Sequence, residues 1–109
     1  MAVYWCKIAR SEEEFQAIAQ LNYETFVEEI PQHEADGSGV RVDPFHAQNT
    51  YLIVLADTLL VGMIALRSER PFSLDLKIGE VEQYLPNSRK ICEIRLMAVR
   101  KQHRNGRVF

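Results

Sequence analysis

Two β-rich runs, Thr50 to Ala56 and Leu59 to Leu66, are separated only by Asp57-Thr58, and this constrains the chain more than any other feature. Such runs across a two-residue connection predict a β-hairpin, although Asp-Thr is a weaker turn than Asp-Gly. Within the first run, Tyr51-Leu-Ile-Val-Leu55 is apolar without alternation, as expected of a strand buried on both faces. A chain of 109 residues has room for one domain, residues 1–109, and for a core of modest size.

The remaining elements follow from periodicity and punctuation. Val3 to Ile8 reads as a strand. Ser11 and Glu14 have capping-box spacing, and Glu12, Glu13 and Glu14 suit a helix N-terminus. Phe15, Ile18, Ala19, Asn22, Phe26 and Ile30 keep a helical period with one polar interruption, which carries the helix to Glu28 or Glu29 before Pro31 stops it. Gln32 to Gln48 is a long connection broken by Asp36-Gly-Ser-Gly39 and Asp43-Pro44. Leu74 to Tyr84 predicts one or two short helical turns interrupted at Gly79, closed by Pro86-Asn-Ser88. Lys90 to Val99 predicts the last strand. Strict alternation puts Ile91, Glu93, Arg95, Met97 and Val99 on one face and Cys92, Ile94, Leu96 and Ala98 on the other. The order is β-α-loop-β-β-α-β, an α/β (α+β) fold with a mainly antiparallel sheet and flanking helices.

Thirteen Lys and Arg against fifteen Asp and Glu give a net charge of −2, which argues against a general nucleic-acid coat while leaving room for a local concentration of charge. No apolar run reaches the roughly 18–20 residues of a membrane span, and residues 1–10 contain no apolar signal core. Cys6 and Cys92 form no zinc spacing, and so few cysteines fit a cytoplasmic protein with reduced thiols. His33, His46 and His103 lack metal-like spacing and read as ordinary surface or loop residues, so no metal is expected.

The phosphate-loop, dinucleotide, zinc-protease and nucleophile-elbow motifs are all absent. What remains is the segment from Ile91 to Phe109. It is a strand carrying Glu93 and Arg95, followed by a basic turn with Arg100, Lys101, Arg104 and Arg107, and Gly106, where a new helix can begin. A helix start after a strand offers unpaired N–H groups to phosphate oxygens. The plainer readings of the same residues are a solvated basic tail and a weak nucleic-acid contact whose affinity falls steeply with salt.

Leu96-Met-Ala-Val99, then Arg100-Lys-Gln-His-Arg104 and Asn105-Gly-Arg-Val108, resemble motif A of the GNAT acyltransferases. The resemblance implies that Leu96, Met97, Ala98 and Val99 lend backbone groups to the pantetheine arm of CoA. It also implies that Arg104, Asn105, Gly106, Arg107 and Val108 hold the pyrophosphate. Arg107 and Phe109 stand where the family pattern has its glycine positions, and Gly106 comes one residue earlier. Asn22-Tyr-Glu-Thr-Phe-Val-Glu-Glu29, Asp43-Pro-Phe-His46, Leu60-Val-Gly62 and Cys92-Glu-Ile-Arg95 are similar, in order, to segments of the N-acyl amino acid synthases and acyl-homoserine-lactone synthases.

The resemblance implies a GNAT-like N-acyltransferase. It would take acetyl-CoA or a longer acyl-CoA as co-substrate and a small-molecule amine as acceptor, with direct attack and no covalent enzyme intermediate. Glu93 is the candidate general base, its pKa raised by partial burial. The alternative is that Glu93 merely pairs with Arg95, Lys90 or a neighbouring strand. Arg95 either orders Glu93 or belongs to a structural ion pair. Phe26, Phe45 and Met63 are candidates for an acyl tunnel or for plain core. The likeness covers the N-terminal half of the family fold, through the start of motif A. A C-terminally truncated domain of this kind predicts an open sheet edge that is covered by a homodimer or a completing partner chain. A non-catalytic module that oligomerises or binds a partner through that edge is the second reading.

Overall fold

In the computed structural model, which describes residues 3–85 and 90–109, the predicted hairpin sits at the centre of one four-stranded antiparallel sheet. The strands are β1 (Tyr4–Ile8), β2 (Thr50–Ala56), β3 (Leu59–Arg67) and β4 (Glu93–Val99), and they lie side by side in chain order. Ala56 faces Leu59 across the turn, where Asp57 adopts φ +55°, a conformation that Asp tolerates better than most residues. The second strand is buried on both faces, Tyr51 and Ile53 toward the helix and Val54 and Ala56 away from it. This α+β architecture is the predicted fold class.

Helix α1 (Glu12–Tyr23) starts at the predicted cap. The Ser11 side chain accepts from the Glu14 N–H, and the Glu14 carboxylate accepts from the Arg10 and Ser11 N–H groups. Hydrogen bonding from Lys7, at 2.7 Å, and from these two N–H groups lowers the Glu14 pKa from an ordinary 4.5 to about 2. A folded value below the unfolded one means that the stabilisation is complete above pH 4.5 and drains away as pH falls toward 2. Glu14→Gln is therefore expected to lower stability at neutral pH and to flatten its acid decline, read by denaturant unfolding at a series of pH values.

The helical path continues to Glu29 as predicted, but residues Glu24–Glu29 adopt the wider π pattern, shown by the Ile30 N–H donating to Thr25 O. The polar interruption has a structural reason. Asn22 is buried and donates to Arg41 O, while the Arg41 N–H donates to Ala19 O, so the long connection is stitched to the helix midway along its length. Only the His46–Gln48 turn of that connection is helical. The single turn α2 (Asp75–Ile78) and a 3-10 turn at Val81–Tyr84 flank Gly79, which has φ +75°. The predicted closure at Pro86-Asn-Ser88 lies outside the described residues.

The strict alternation predicted for the last strand is wrong. Ala65 faces Leu96 and Leu66 faces Ile94, so Arg95 is an extra residue in a β-bulge. Beyond it the faces exchange. Glu93, Leu96 and Ala98 share the face of Arg67, Ala65 and Met63, while Ile94, Met97 and Val99 occupy the opposite one. The strand also begins at Glu93 rather than Lys90, which leaves Cys92 outside it and exposed. Among the described residues no helix is long and apolar enough to cross a membrane.

Candidate functional site

Only β3 pairs with β4 among the described residues, so the far edge of β4 has no strand neighbour there, and its Val99 carbonyl accepts from Arg104 instead. An open groove of about 420 Å³ runs beside Met97, Ala98 and Val99. Residues from both faces of the strand line it, which places the groove around that free edge. The π-helical segment supplies one wall through Thr25, Phe26, Glu29 and Ile30, and the C-terminal segment supplies the other through His103, Arg104, Gly106, Val108 and Phe109.

Two glycines shape the second wall. Gly106 takes φ +81°, a turn that L side chains resist, and so folds the tail back. Val108 then lies on the Val54, Ala56 and Val61 cluster and over Gly62, where an added Cβ would come within 2.8 Å of it. The helix expected to begin at Gly106 does not form among the described residues. Lys101–His103 makes a 3-10 turn, and Arg104 and Gly106 then leave the helical region of backbone space. Among the described residues no α-helix N-terminus is presented there.

Of the residues singled out from sequence, Met97, Ala98, Val99, Arg104, Gly106 and Val108 meet in this groove. Leu96 faces a neighbouring cleft instead. Asn105 and Arg107 turn to Tyr4, the first by a 3.2 Å hydrogen bond to its hydroxyl and the second with its guanidinium 5.9 Å from the ring. The acyl tunnel is not assembled: Phe26 lines the groove, Met63 is wholly buried in the core, and Phe45 lies between the guanidiniums of Arg67 and Arg95, at 4.7 and 5.1 Å.

Two arginines of the basic turn, Arg100 and Arg104, are engaged by carboxylates and backbone carbonyls. Arg104 donates through Nε to Val99 O at 2.9 Å and through both terminal nitrogens to the two carboxylate oxygens of Glu29, one of these at 2.6 Å. Arg100 donates to Leu60 O and, at 2.8 Å, to Glu24. The Arg104 guanidinium holds the Glu29 carboxyl below the usual carboxylate range.

Glu93 is also committed. Its carboxylate accepts from the Ser73 N–H at 3.0 Å, the Ser73 hydroxyl at 2.8 Å and the Leu74 N–H at 3.1 Å. Burial pushes its pKa up, but these hydrogen bonds and the Arg95 charge outweigh burial and bring it below its ordinary value. The raise expected from sequence is thus reversed, because the turn at Ser73 supplies donors that no local pattern announces.

A second cluster was missed. Arg95 pairs with Asp43, not with Glu93, at 2.5 Å, and Asp43 also accepts from Asn49 at 2.7 Å. His46 and Tyr51 share a 2.9 Å hydrogen bond beside them. Arg95 Nε and Asn49 Oδ1 are buried there without a hydrogen-bond partner among the described residues. Asp43, Arg95 and Leu96 line a cleft of about 170 Å³ that shares Phe26 with the groove. The signal that could have found it is Asp43-Pro-Phe-His46, where Asp and His flank a Pro that stops regular structure. Among the described residues no group of His, Cys, Asp and Glu is placed to hold a metal ion.

A family model described as an acetyltransferase (GNAT) domain matches residues 21–109. No curated protein and no solved structure matches the chain.

Proposed function

This chain belongs to the GNAT acetyltransferase family, and from that premise we propose that it transfers an acyl group from an acyl-CoA thioester to a small-molecule primary amine. One observation carries the reading: the groove around the free edge of β4 gathers Met97, Ala98, Val99, Arg104 and Gly106, separated in sequence by a turn, along a single path. Its volume is in the range of small-molecule sites. An extended amide-bearing arm suits an unpaired strand edge, because the strand's free N–H and C=O groups complement those of the arm. Met97, Val108 and Phe109 give the path apolar walls, and Arg104 puts a cation on its lining.

The chemistry asks little of the protein. The amine nitrogen attacks the thioester carbon, the carbon–sulfur bond breaks, an amide forms, and the sulfur leaves as the thiol of CoA after gaining a proton. The attacking nitrogen must shed a proton. Glu93, which lines neither the groove nor the Asp43–Arg95 cleft but a separate cavity with Phe72, Leu74 and Ile94, is our candidate to receive it only through intervening water. The Asp43–Arg95 cleft, which reaches the groove at Phe26, is where we place the amine. The segments at Phe26-Val-Glu-Glu29 and Asp43-Pro-Phe-His46 support a place near the N-acyl amino acid synthases within the family.

Calorimetric titration with CoA, acetyl-CoA and a long-chain acyl-CoA tests the proposal. Binding of all three to one site, with mutual competition, is expected. Absence of heat and of competition for every one of them overturns it.

A further inference from the structure

The two acidic residues that engage the basic turn are five positions apart. In an α-helix that spacing would turn them about 140° from each other. The π pattern of residues Glu24–Glu29 bonds i to i+5 and stacks such residues on nearly the same side. Glu24 therefore reaches Arg100 while Glu29 reaches Arg104, and the second pair spans the groove from one wall to the other. Arg104 also covers the carbonyl of Val99 on the strand edge. All three of its nitrogens are thereby engaged before any ligand arrives.

We propose that Glu29 is a built-in competitor for the anion at Arg104, a residue that sets how tightly the groove holds a phosphate-bearing ligand and which must release the guanidinium before such a ligand seats. The inference rests on the acyl-CoA reading for its ligand. Both Glu29 and a phosphate oxygen want the same planar fork of N–H donors. The carboxylate is tethered within reach and wins when no ligand is present. A polyphosphate carrying more charge displaces it, and Glu29 swings away from the wall. Binding then couples opening of the Glu29–Arg104 strap to occupation of the groove.

The test uses the whole chain with two probes, CoA and inorganic pyrophosphate, and four variants: Glu29→Gln, Glu28→Gln, Arg104→Gln and the Glu29→Gln/Arg104→Gln pair. Glu28 is exposed and adjacent and controls for the simple loss of one negative charge. Glu29→Gln is expected to tighten both probes about fivefold, the upper end for an exposed ion pair. Glu28→Gln should change them by less than about twofold at physiological salt. With Arg104 already replaced, adding Glu29→Gln should do no more than Glu28→Gln does. Equal effects of Glu28→Gln and Glu29→Gln, or an undiminished effect without Arg104, overturn the inference. If CoA binds the natural chain and Glu29→Gln equally, the strap is wrong and the acyl-CoA reading stands. If pyrophosphate tightens but CoA binds no better than pyrophosphate, the strap stands and the acyl-CoA reading falls. If neither probe binds any variant, both fall.

Discussion

Asp43→Ala is expected to remove about 3–5 kcal/mol of folding stability, the loss typical of breaking a buried ion pair on one side. The Asp43 side chain is 2% exposed and that of Arg95 is 18% exposed, so water cannot replace the lost partner at little cost. Arg95 Nε already lacks an acceptor among the described residues, and deleting the carboxylate removes the guanidinium's ion-pair partner, leaving it beside the Phe45 ring and the charge of Glu93. Asn49 loses an acceptor in the same step. A domain of this size holds about 5–15 kcal/mol in total, so the single change takes a large share of it. Asp43→Ala/Arg95→Met should recover part of the loss, because an apolar side chain of similar reach tolerates the site better than an orphaned charge. Denaturant midpoints of the two variants and the natural chain decide the matter. A loss under about 1 kcal/mol for Asp43→Ala would mean that the pair behaves as an exposed one.

The features legible in the sequence are those whose physics is local. The hairpin is written in two β-rich runs two residues apart, and the start of α1 in Ser11 and Glu14 three residues apart. The β4 path toward Arg104 was legible through its likeness to a family motif, and Met97, Ala98 and Val99 do line the groove. What escaped depends on partners far along the chain or on one-residue shifts of register. The Arg95 bulge exchanges the faces of β4 without altering composition, since alternation on either side of it is intact. Arg95 meets Asp43 across 52 residues and Arg104 meets Glu29 across 75, separations at which no spacing rule operates. Arg100 and Arg104 of the basic turn are paired with Glu24 and Glu29 for the same reason. A run of basic residues reports charge but says nothing about which carboxylates the fold will bring opposite.

Glu93→Gln is expected to lower kcat for amine acylation by about a hundredfold, the scale of a lost general base, with KM for the thioester little changed. Gln keeps the shape and one acceptor but turns an amide N–H₂ toward donors at Ser73 and Leu74, so some loss of stability is expected as well. That loss alone does not distinguish a proton acceptor from a structural anchor. The pH profile does. Because the folded pKa of Glu93 lies below its ordinary 4.5, the carboxylate stays ionised as pH falls through that value, and the acidic limb of kcat/KM should lie below it. Ser73→Ala removes the 2.8 Å hydroxyl donor, which favours the charged form, and so should move that limb to higher pH while leaving Glu93 in place. A carboxylate that only ties β4 to the Ser73 turn has no proton to exchange with substrate, and its limb would not move. An unmoved limb in Ser73→Ala, with Glu93→Gln retaining kcat within about threefold, well short of general-base loss, assigns Glu93 to the scaffold and sends the search for the proton acceptor to the Asp43–Arg95 cleft.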